Sequence, residues 1–382
     1  MPKEVVSDRV KNIEESATLA LNAKVKQMAA SGKTVYNLTA GELACDTPDY
    51  IKQFVSTKLD QNKYTPAPGL DELREKIAAH CRQFYGLEWI KPANVIATGG
   101  VKPALWAVFE SILNPGDEII LPTPAWVSYV HLIKLTGAKI VTTKLNNNFD
   151  LDVDDIRAKI SPKTKAILLN SPHNPTGAIF SSGRLRELAR IANKKDIVVI
   201  SDDIYSKLVY SGNFAPVAKH GFKKLVIASG FSKSQALTGW RIGYLIADEP
   251  IAKACNKLLS HATGNAPVLA QYAAIRALEK NDRPVDMAHL KSNRELACSR
   301  LDWIKNLSYV RPSGAFYIFL NVSKMDSNSL NWCEKLLQKK GVALVPGEAF
   351  SAPGYARMSF VGDKKTITKA LDLIADFCKE NS

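Results

Sequence analysis

The sequence predicts an α/β fold: a three-layer α/β/α domain on a mostly parallel sheet, with a smaller α/β domain built from the two ends of the chain. Three observations predict it. Apolar runs rich in β-branched residues recur through the middle of the 382-residue chain without polar alternation, as strands covered on both faces require. Helical patterns lie between several of them, the alternation expected of a parallel sheet. After about residue 280 the pattern changes to one long helix, shorter elements and a final helix.

Taken in order, strands are expected at 94–99 (NVIATG), 117–122 (DEIILP), 165–170 (KAILLN), 196–201 (DIVVIS), 224–229 (KLVIAS) and 241–246 (RIGYLI). A helix is expected over 71–86, because Leu73, Ile77, Cys81 and Phe84 fall on one face and Gly86 stands where a helix cap would. The long pattern DMAHLKSNRELACSRLDWI opens the second unit. The expected division is a large domain over 45–284 and a small one from 1–44 with 285–382. Ligands of such sheets bind at the carboxyl ends of the strands.

Composition excludes several classes. Hydrophobic residues make up 46% of the chain and charged residues 23%, which is ordinary for a globular protein. No apolar run reaches the roughly 18 residues of a membrane span, and the start lacks the apolar core of a secretory signal, so a cytoplasmic protein is expected. The net charge is +14, yet the basic residues occur as scattered pairs such as Lys194–Lys195 and Lys364–Lys365. No basic block interleaved with aromatics occurs, so no nucleic-acid partner is expected. Six scattered cysteines read as buried thiols, and no histidine pattern suggests a catalytic metal.

The chemistry lies at the strand ends. After NVIAT comes GGVKPAL, where glycines entering a helix can offer backbone N–H groups to a phosphate. Trp126 follows the second strand, Asn174 sits in the proline-framed turn SPHNPTG, and DDIY follows IVVIS. GFSKSQALTGWRIG then places Lys233 and Arg241 between two apolar runs. Each feature alone is also what a turn or a core would contain. Together they describe a site for a flat, phosphorylated, electron-accepting ring attached to a lysine. Pyridoxal 5′-phosphate (PLP) has that chemistry. No G-x-G-x-x-G or G-x-x-x-x-G-K-[ST] occurs, so dinucleotide and P-loop readings lack their main support.

Nine segments, in order, resemble the class I/II aminotransferases of PLP fold type I, and among them the bacterial aspartate aminotransferases of the Iγ subgroup. They are SATLALNAK, LTAGE, DTPDYIK, KYTPAPGLDELR, NPGDEIILPTPAWVSY, NSPHNPTGA, SDDIY, SGFSKSQALTGWRIGY and PGEAFSAPGYARMSF. The resemblance implies that Lys233 bonds to the cofactor and shuttles the proton. It implies that Asp202 pairs with the ring nitrogen, with Asp203 its rival by adjacency and the D-x-x-Y step to Tyr205 selecting Asp202. Tyr205 and Asn174 would contact the ring oxygen, and Trp126 would stack on the ring. Arg241, the backbone of Gly100 and Val101, and Ser232 would hold the phosphate, with Tyr64 reaching across from a neighbouring subunit of a homodimer. Arg357 and Gly41 would take the substrate α-carboxylate, Asn174 and Trp126 would line the substrate, and Lys102 and Thr18 are implicated with acidic side chains. Lys102 is also an ordinary helix-end lysine.

The pattern departs from the family at GELACD, where Leu43, Ala44 and Cys45 replace Pro, Asp and Phe, and at PAW, where Ala125 replaces Tyr. The expected reaction is ping-pong transfer from L-aspartate to 2-oxoglutarate. The alternatives are a transaminase for prephenate, aromatic amino acids or alanine, and a lyase or cyclising enzyme on the same cofactor. A PLP-sensing regulator would need an attached DNA-binding segment.

Overall fold

The structure, a computed structural model, describes residues 5–11, 13–14, 17–210, 214–280 and 285–381, with backbone alone at 17–20 and 280. A seven-stranded sheet dominates it. Across the sheet the strands run Val95–Thr98, Gly243–Ile246, Leu225–Gly230, Val198–Asp202, Thr164–Asn170, Glu118–Thr123 and Lys139–Lys144. All six expected strands form, with ends displaced by up to two residues. Alternate residues enter opposite layers: Ile167, Leu169, Val199 and Ile227 pack on one face, and Ala166, Leu168, Ile200 and Val226 on the other. Both faces are covered by helices, which is why the strands read as unbroken apolar runs.

Lys139–Lys144 was not expected. It is an edge strand in which Lys139, Thr142 and Lys144 are exposed, so its polar residues hide the apolar signal. Gly243–Ile246 runs antiparallel to both neighbours, whereas the other pairings are parallel. The chain crosses from Leu225–Gly230 to Gly243–Ile246 without a crossover helix, and antiparallel pairing is what such a short return allows. Lys233 and Arg241 lie on that return, beyond the carboxyl end of the strand Leu225–Gly230.

The helix Asp71–Tyr85 buries Leu73, Ile77 and Cys81 and ends at Gly86 with φ +68, the left-handed cap conformation that glycine accepts without strain. Phe84 is only partly buried, and Tyr85 takes the deeper place. Near the carboxyl end of the chain, Val345–Pro346, Tyr355–Ser359, Tyr317–Asn321 and Ser308–Tyr309 form an antiparallel sheet. The helices Met287–Leu301, Ser329–Lys340 and Lys364–Glu380 contribute Leu290, Trp332, Ile374 and Phe377 to a core with Phe316, Ile318 and Met358. Tyr36–Asn37 pairs in parallel with Val342–Ala343, which brings the amino-terminal segment onto this unit. Five of the six cysteines are buried, but Cys45 is exposed, unlike the others. Among the described residues no helix is long and apolar enough to cross a membrane.

Candidate active site

The carboxyl ends of the central strands meet at one place. Asp202 is the last residue of Val198–Asp202 and is buried. Its Oδ2 accepts a hydrogen bond of 2.6 Å from the Tyr129 hydroxyl, and its Oδ1 accepts one of 3.2 Å from the Ile204 amide. Burial pushes its pKa up to about 6, against the pull of Tyr129, Ile204 and the nearby Lys233. Asp203 turns to the other face, where Ser201 donates to its carboxylate and Tyr85 lies close. Burial raises its pKa to about 7, and the charge of Asp202 adds to the rise. Successive residues leaving a strand point to opposite faces, so only one of these two acids enters the site.

Lys233 occupies the return segment, with its Nζ donating to the Gly41 carbonyl and lying 6.0 Å from the centre of the Phe316 ring. Burial lowers its pKa to about 8. Glu42 and Asp202 oppose that shift, while the like charges of Arg357 and Arg241 reinforce it. A neutral amine is the nucleophilic form, so this environment suits covalent chemistry at neutral pH.

An anion cradle adjoins it. The helix Val101–Ile112 begins at Gly100, and no side chain caps it, so its first N–H groups face outward. Gly100 has φ +109, and a Cβ there would lie 2.6 Å from Arg241 Nη2. Gly243 lets its strand close on the same turn, since a Cβ there would sit 2.9 Å from the Val101 nitrogen. Arg241 donates to the Thr238 carbonyl at 3.0 Å, is exposed, and has no carboxylate partner among the described residues. Ser232 is buried in the same segment. A forked guanidinium against free helix N–H groups matches a phosphate dianion.

Trp126 immediately precedes the helix Val127–Thr136, and its ring meets Tyr129 edge-on at 5.2 Å. Lys102, in the first turn of Val101–Ile112, places Nζ 5.2 Å from the centre of the Trp126 ring. Burial and then Arg241 lower its pKa.

Arg357 lies buried on Tyr355–Ser359. Its Nη1 donates to Asn174 Oδ1 and its Nη2 to the Thr39 carbonyl, both at 3.0 Å. Its guanidinium carbon lies 4.3 Å from the Tyr317 ring centre and 5.0 Å from that of Phe350. Its Nε is buried with no protein partner. A buried charged donor left unsatisfied is costly, so the arrangement calls for an anion. Asn174 is fixed in turn by Asn170, whose side chain accepts from the Asn174 amide and donates to the Asp202 carbonyl, both at 2.8 Å. The Tyr205 hydroxyl lies 3.0 Å from that of Tyr317.

The structure therefore gathers Lys233, Asp202, Tyr205, Asn174, Trp126, Arg241, Gly100, Val101, Ser232, Gly41, Arg357 and Lys102 around one cleft. Tyr64 stands apart from it, 97% exposed. Thr18 lies in the first turn of Ala17–Ala30, and its side chain falls outside the described residues. Tyr129, Asn170, Tyr317 and Phe350 were not singled out from the sequence. Tyr129 had a signal, the single-turn step from Trp126, whereas Tyr317 reaches the site through the pairing of strands distant in sequence and Phe350 through its packing against Arg357.

Residues 33–374 match the family model described as aminotransferase class I and II. The chain is 40% identical to the aspartate aminotransferase of Thermotoga maritima, covering 98% of this chain and 99% of the relative. It is 36% identical to the aspartate/prephenate aminotransferase of Thermus thermophilus, covering 97% and 98%. The solved T. maritima aspartate aminotransferase superposes with a TM-score of 0.93 at 39% identity, over 98% of this chain and all of that one. The T. thermophilus aspartate aminotransferase solved with maleate gives 0.94 at 36% identity, over 98% and 99%.

Proposed function

The chain belongs to the class I and II aminotransferases, and from that premise we propose that it moves the amino group of L-aspartate to 2-oxoglutarate. The products are oxaloacetate and L-glutamate, formed in two alternating half-reactions, with Lys233 as the residue that would hold PLP before each turnover and release it to the substrate. The observation that carries the substrate reading is the pair of cations that flank the cleft. Arg357 offers a buried Nε–H without a partner, and Lys102 stands over the face of Trp126. A dicarboxylate needs both, one for each end. The T. thermophilus neighbour was solved with maleate, itself a four-carbon dicarboxylate.

The residues present fit the cofactor. Arg241 with the Gly100–Val101 turn would hold its phosphate, Asp202 its ring nitrogen, Tyr205 and Asn174 its ring oxygen, and Trp126 one ring face. When bound, PLP supplies the electron sink that makes the substrate α-proton acidic. Lys233 Nζ, poised near neutrality, receives that proton and returns it. Arg357 orients the α-carboxylate through parallel hydrogen bonds, and its aromatic walls exclude water. Tyr129 keeps Asp202 oriented and ionised.

The same reading makes the protein a cytoplasmic homodimer with domains at 45–284 and at 1–44 with 285–382. Tyr64, too exposed to serve its own subunit's cleft, would reach the phosphate of the neighbour's cofactor. A second reading, a bulkier acceptor such as prephenate, is favoured by one feature. Leu43, Ala44, Cys45, Gly239 and Trp240 line an open cleft of about 480 Å³ beside the Gly41–Lys233 contact.

The test is a half-reaction. The purified protein is loaded with PLP, its visible spectrum recorded, and L-aspartate, L-phenylalanine or L-alanine added separately. Fast loss of the visible band with aspartate, and slow loss with the others, is expected. Fast loss with phenylalanine would favour the bulkier reading, and no change with aspartate would refute the proposal.

A further inference from the structure

Tyr317 touches three parts of the cleft at once. On the antiparallel pair Tyr317–Asn321 and Tyr355–Ser359, Phe319 stands opposite Arg357 and Tyr317 opposite Ser359. Tyr317 and Arg357 are therefore diagonal neighbours on one face, within reach of an aromatic ring. The ring lies under the guanidinium, and the hydroxyl meets Tyr205. A Cβ on Gly41 would lie 3.6 Å from the same hydroxyl, and the Gly41 carbonyl accepts from Lys233. Tyr317 and Tyr205 are both buried.

Counting protons gives the bond a direction. Tyr205 has one hydroxyl hydrogen. If it goes to the ring oxygen of the cofactor, the hydroxyl of Tyr317 is left to donate into the Tyr205 oxygen. A donor that itself accepts a hydrogen bond is strengthened. Burial raises the pKa of Tyr317, and the Arg357 cation over its ring opposes that rise, which leaves the phenol a better donor than burial alone would. The charged and titratable groups facing the tyrosine pair are Arg357 from Tyr355–Ser359, Asp202 at the end of Val198–Asp202 and Tyr129 from Val127–Thr136; Lys233, Glu42 and Arg241 lie one step further, through Arg357 and Asp202.

We infer that Tyr317 is a positioning residue that carries the charge state of Arg357 to the hydroxyl of Tyr205. Filling the carboxylate site neutralises Arg357, weakens the relay, and lets proton affinity rise at the cofactor end. Substrate carboxylate binding is thereby sensed at the reacting group. This rests on the PLP reading above.

The experiment titrates the visible band of the PLP-loaded protein against pH, with and without saturating maleate, in wild type, Tyr317→Phe and Tyr317→Leu. In wild type the midpoint rises with maleate. In Tyr317→Phe the midpoint without maleate is already higher by about 0.5–1 pH unit, the shift an ordinary hydrogen bond commands. Its further rise with maleate is smaller by a similar amount. Maleate affinity changes by less than about threefold, because the ring under Arg357 remains, while Tyr317→Leu weakens it about tenfold. A Tyr317→Phe protein with the wild-type midpoint and the wild-type rise overturns the inference. So does one that loses as much maleate affinity as Tyr317→Leu. A wild-type protein that never forms the visible band overturns the PLP reading itself, a different result from either.

Discussion

Replacing Tyr129 with Phe removes the 2.6 Å hydrogen bond to Asp202 and leaves the ring in place. Hydrogen bonds to charged groups contribute about 1.5–3 kcal/mol. At 1.36 kcal/mol per unit that is about 1–2 units of pKa, so the folded value of Asp202 moves from about 6 to about 7–8. The sign follows from burial. The folded pKa lies above the reference 3.8, so the fold favours the protonated carboxyl more than the unfolded chain does. Stability is therefore lost as pH rises from the unfolded value through the folded one, and is level above it. In the parent the loss ends near pH 6, and in Tyr129→Phe it continues to about pH 7–8. At pH 5 the two proteins differ by one neutral hydrogen bond, and at pH 8.5 by about 1.5–3 kcal/mol more. A chain of 382 residues has an unfolding entropy of roughly 0.8 kcal/mol per degree, so the extra gap in Tm is about 2–4 °C. The assay is thermal unfolding of the cofactor-free protein at the two pH values. Asp203 is coupled to Asp202 by charge, which redistributes the titration between them, but both acids are protonated at pH 5 and ionised at pH 8.5 in either protein. A Tm difference that is the same at pH 5 and pH 8.5 would refute the role given to Tyr129.

Three further outcomes follow from the same geometry. Gly100→Ala forces a side chain into φ +109 and against Arg241, so PLP affinity falls at least about tenfold while pyridoxal, which lacks the phosphate, binds as before; an equal loss for both ligands would remove the cradle. Lys102→Leu raises KM for L-aspartate by about 30–160-fold, as loss of a charge-assisted bond of about 2–3 kcal/mol requires, and leaves KM for L-alanine unchanged; equal effects on both would return Lys102 to a helix-end role. The rate at which added PLP forms its visible band falls with acidity around pH 8, where the Lys233 amine becomes protonated; a midpoint near 10 would contradict the burial argument.

Much of the fold was legible because its strands are buried on both faces. Uniform apolar runs such as AILL and VVI, short and rich in β-branched residues, are what strands covered on both faces require. The edge strand Lys139–Lys144 escaped because half-exposed strands mix polar and apolar residues. The reversal of Gly243–Ile246 left no local mark, since strand direction is set by the connection and not by composition. In the site, residues that follow strands in sequence were found from their order along the chain. The choice between Asp202 and Asp203 rested on the family pattern, and the side-chain contacts place Asp202 with Tyr129 and Asp203 with Ser201. Tyr317 and Phe350 could not be found that way. Their place depends on the pairing of Tyr317–Asn321 with Tyr355–Ser359 and on the packing of Phe350 against Arg357, both made between segments far apart in sequence.

The central claim is that Lys233 forms the covalent bond to PLP, and borohydride tests it most directly. Reduction of the PLP-loaded protein fixes the lysine–cofactor bond, and peptide mass mapping then locates it. The account predicts one adduct per chain, on the peptide carrying Lys233, and none in Lys233→Ala. An adduct on another lysine, or a Lys233→Ala protein that transaminates at the parent rate, would contradict it.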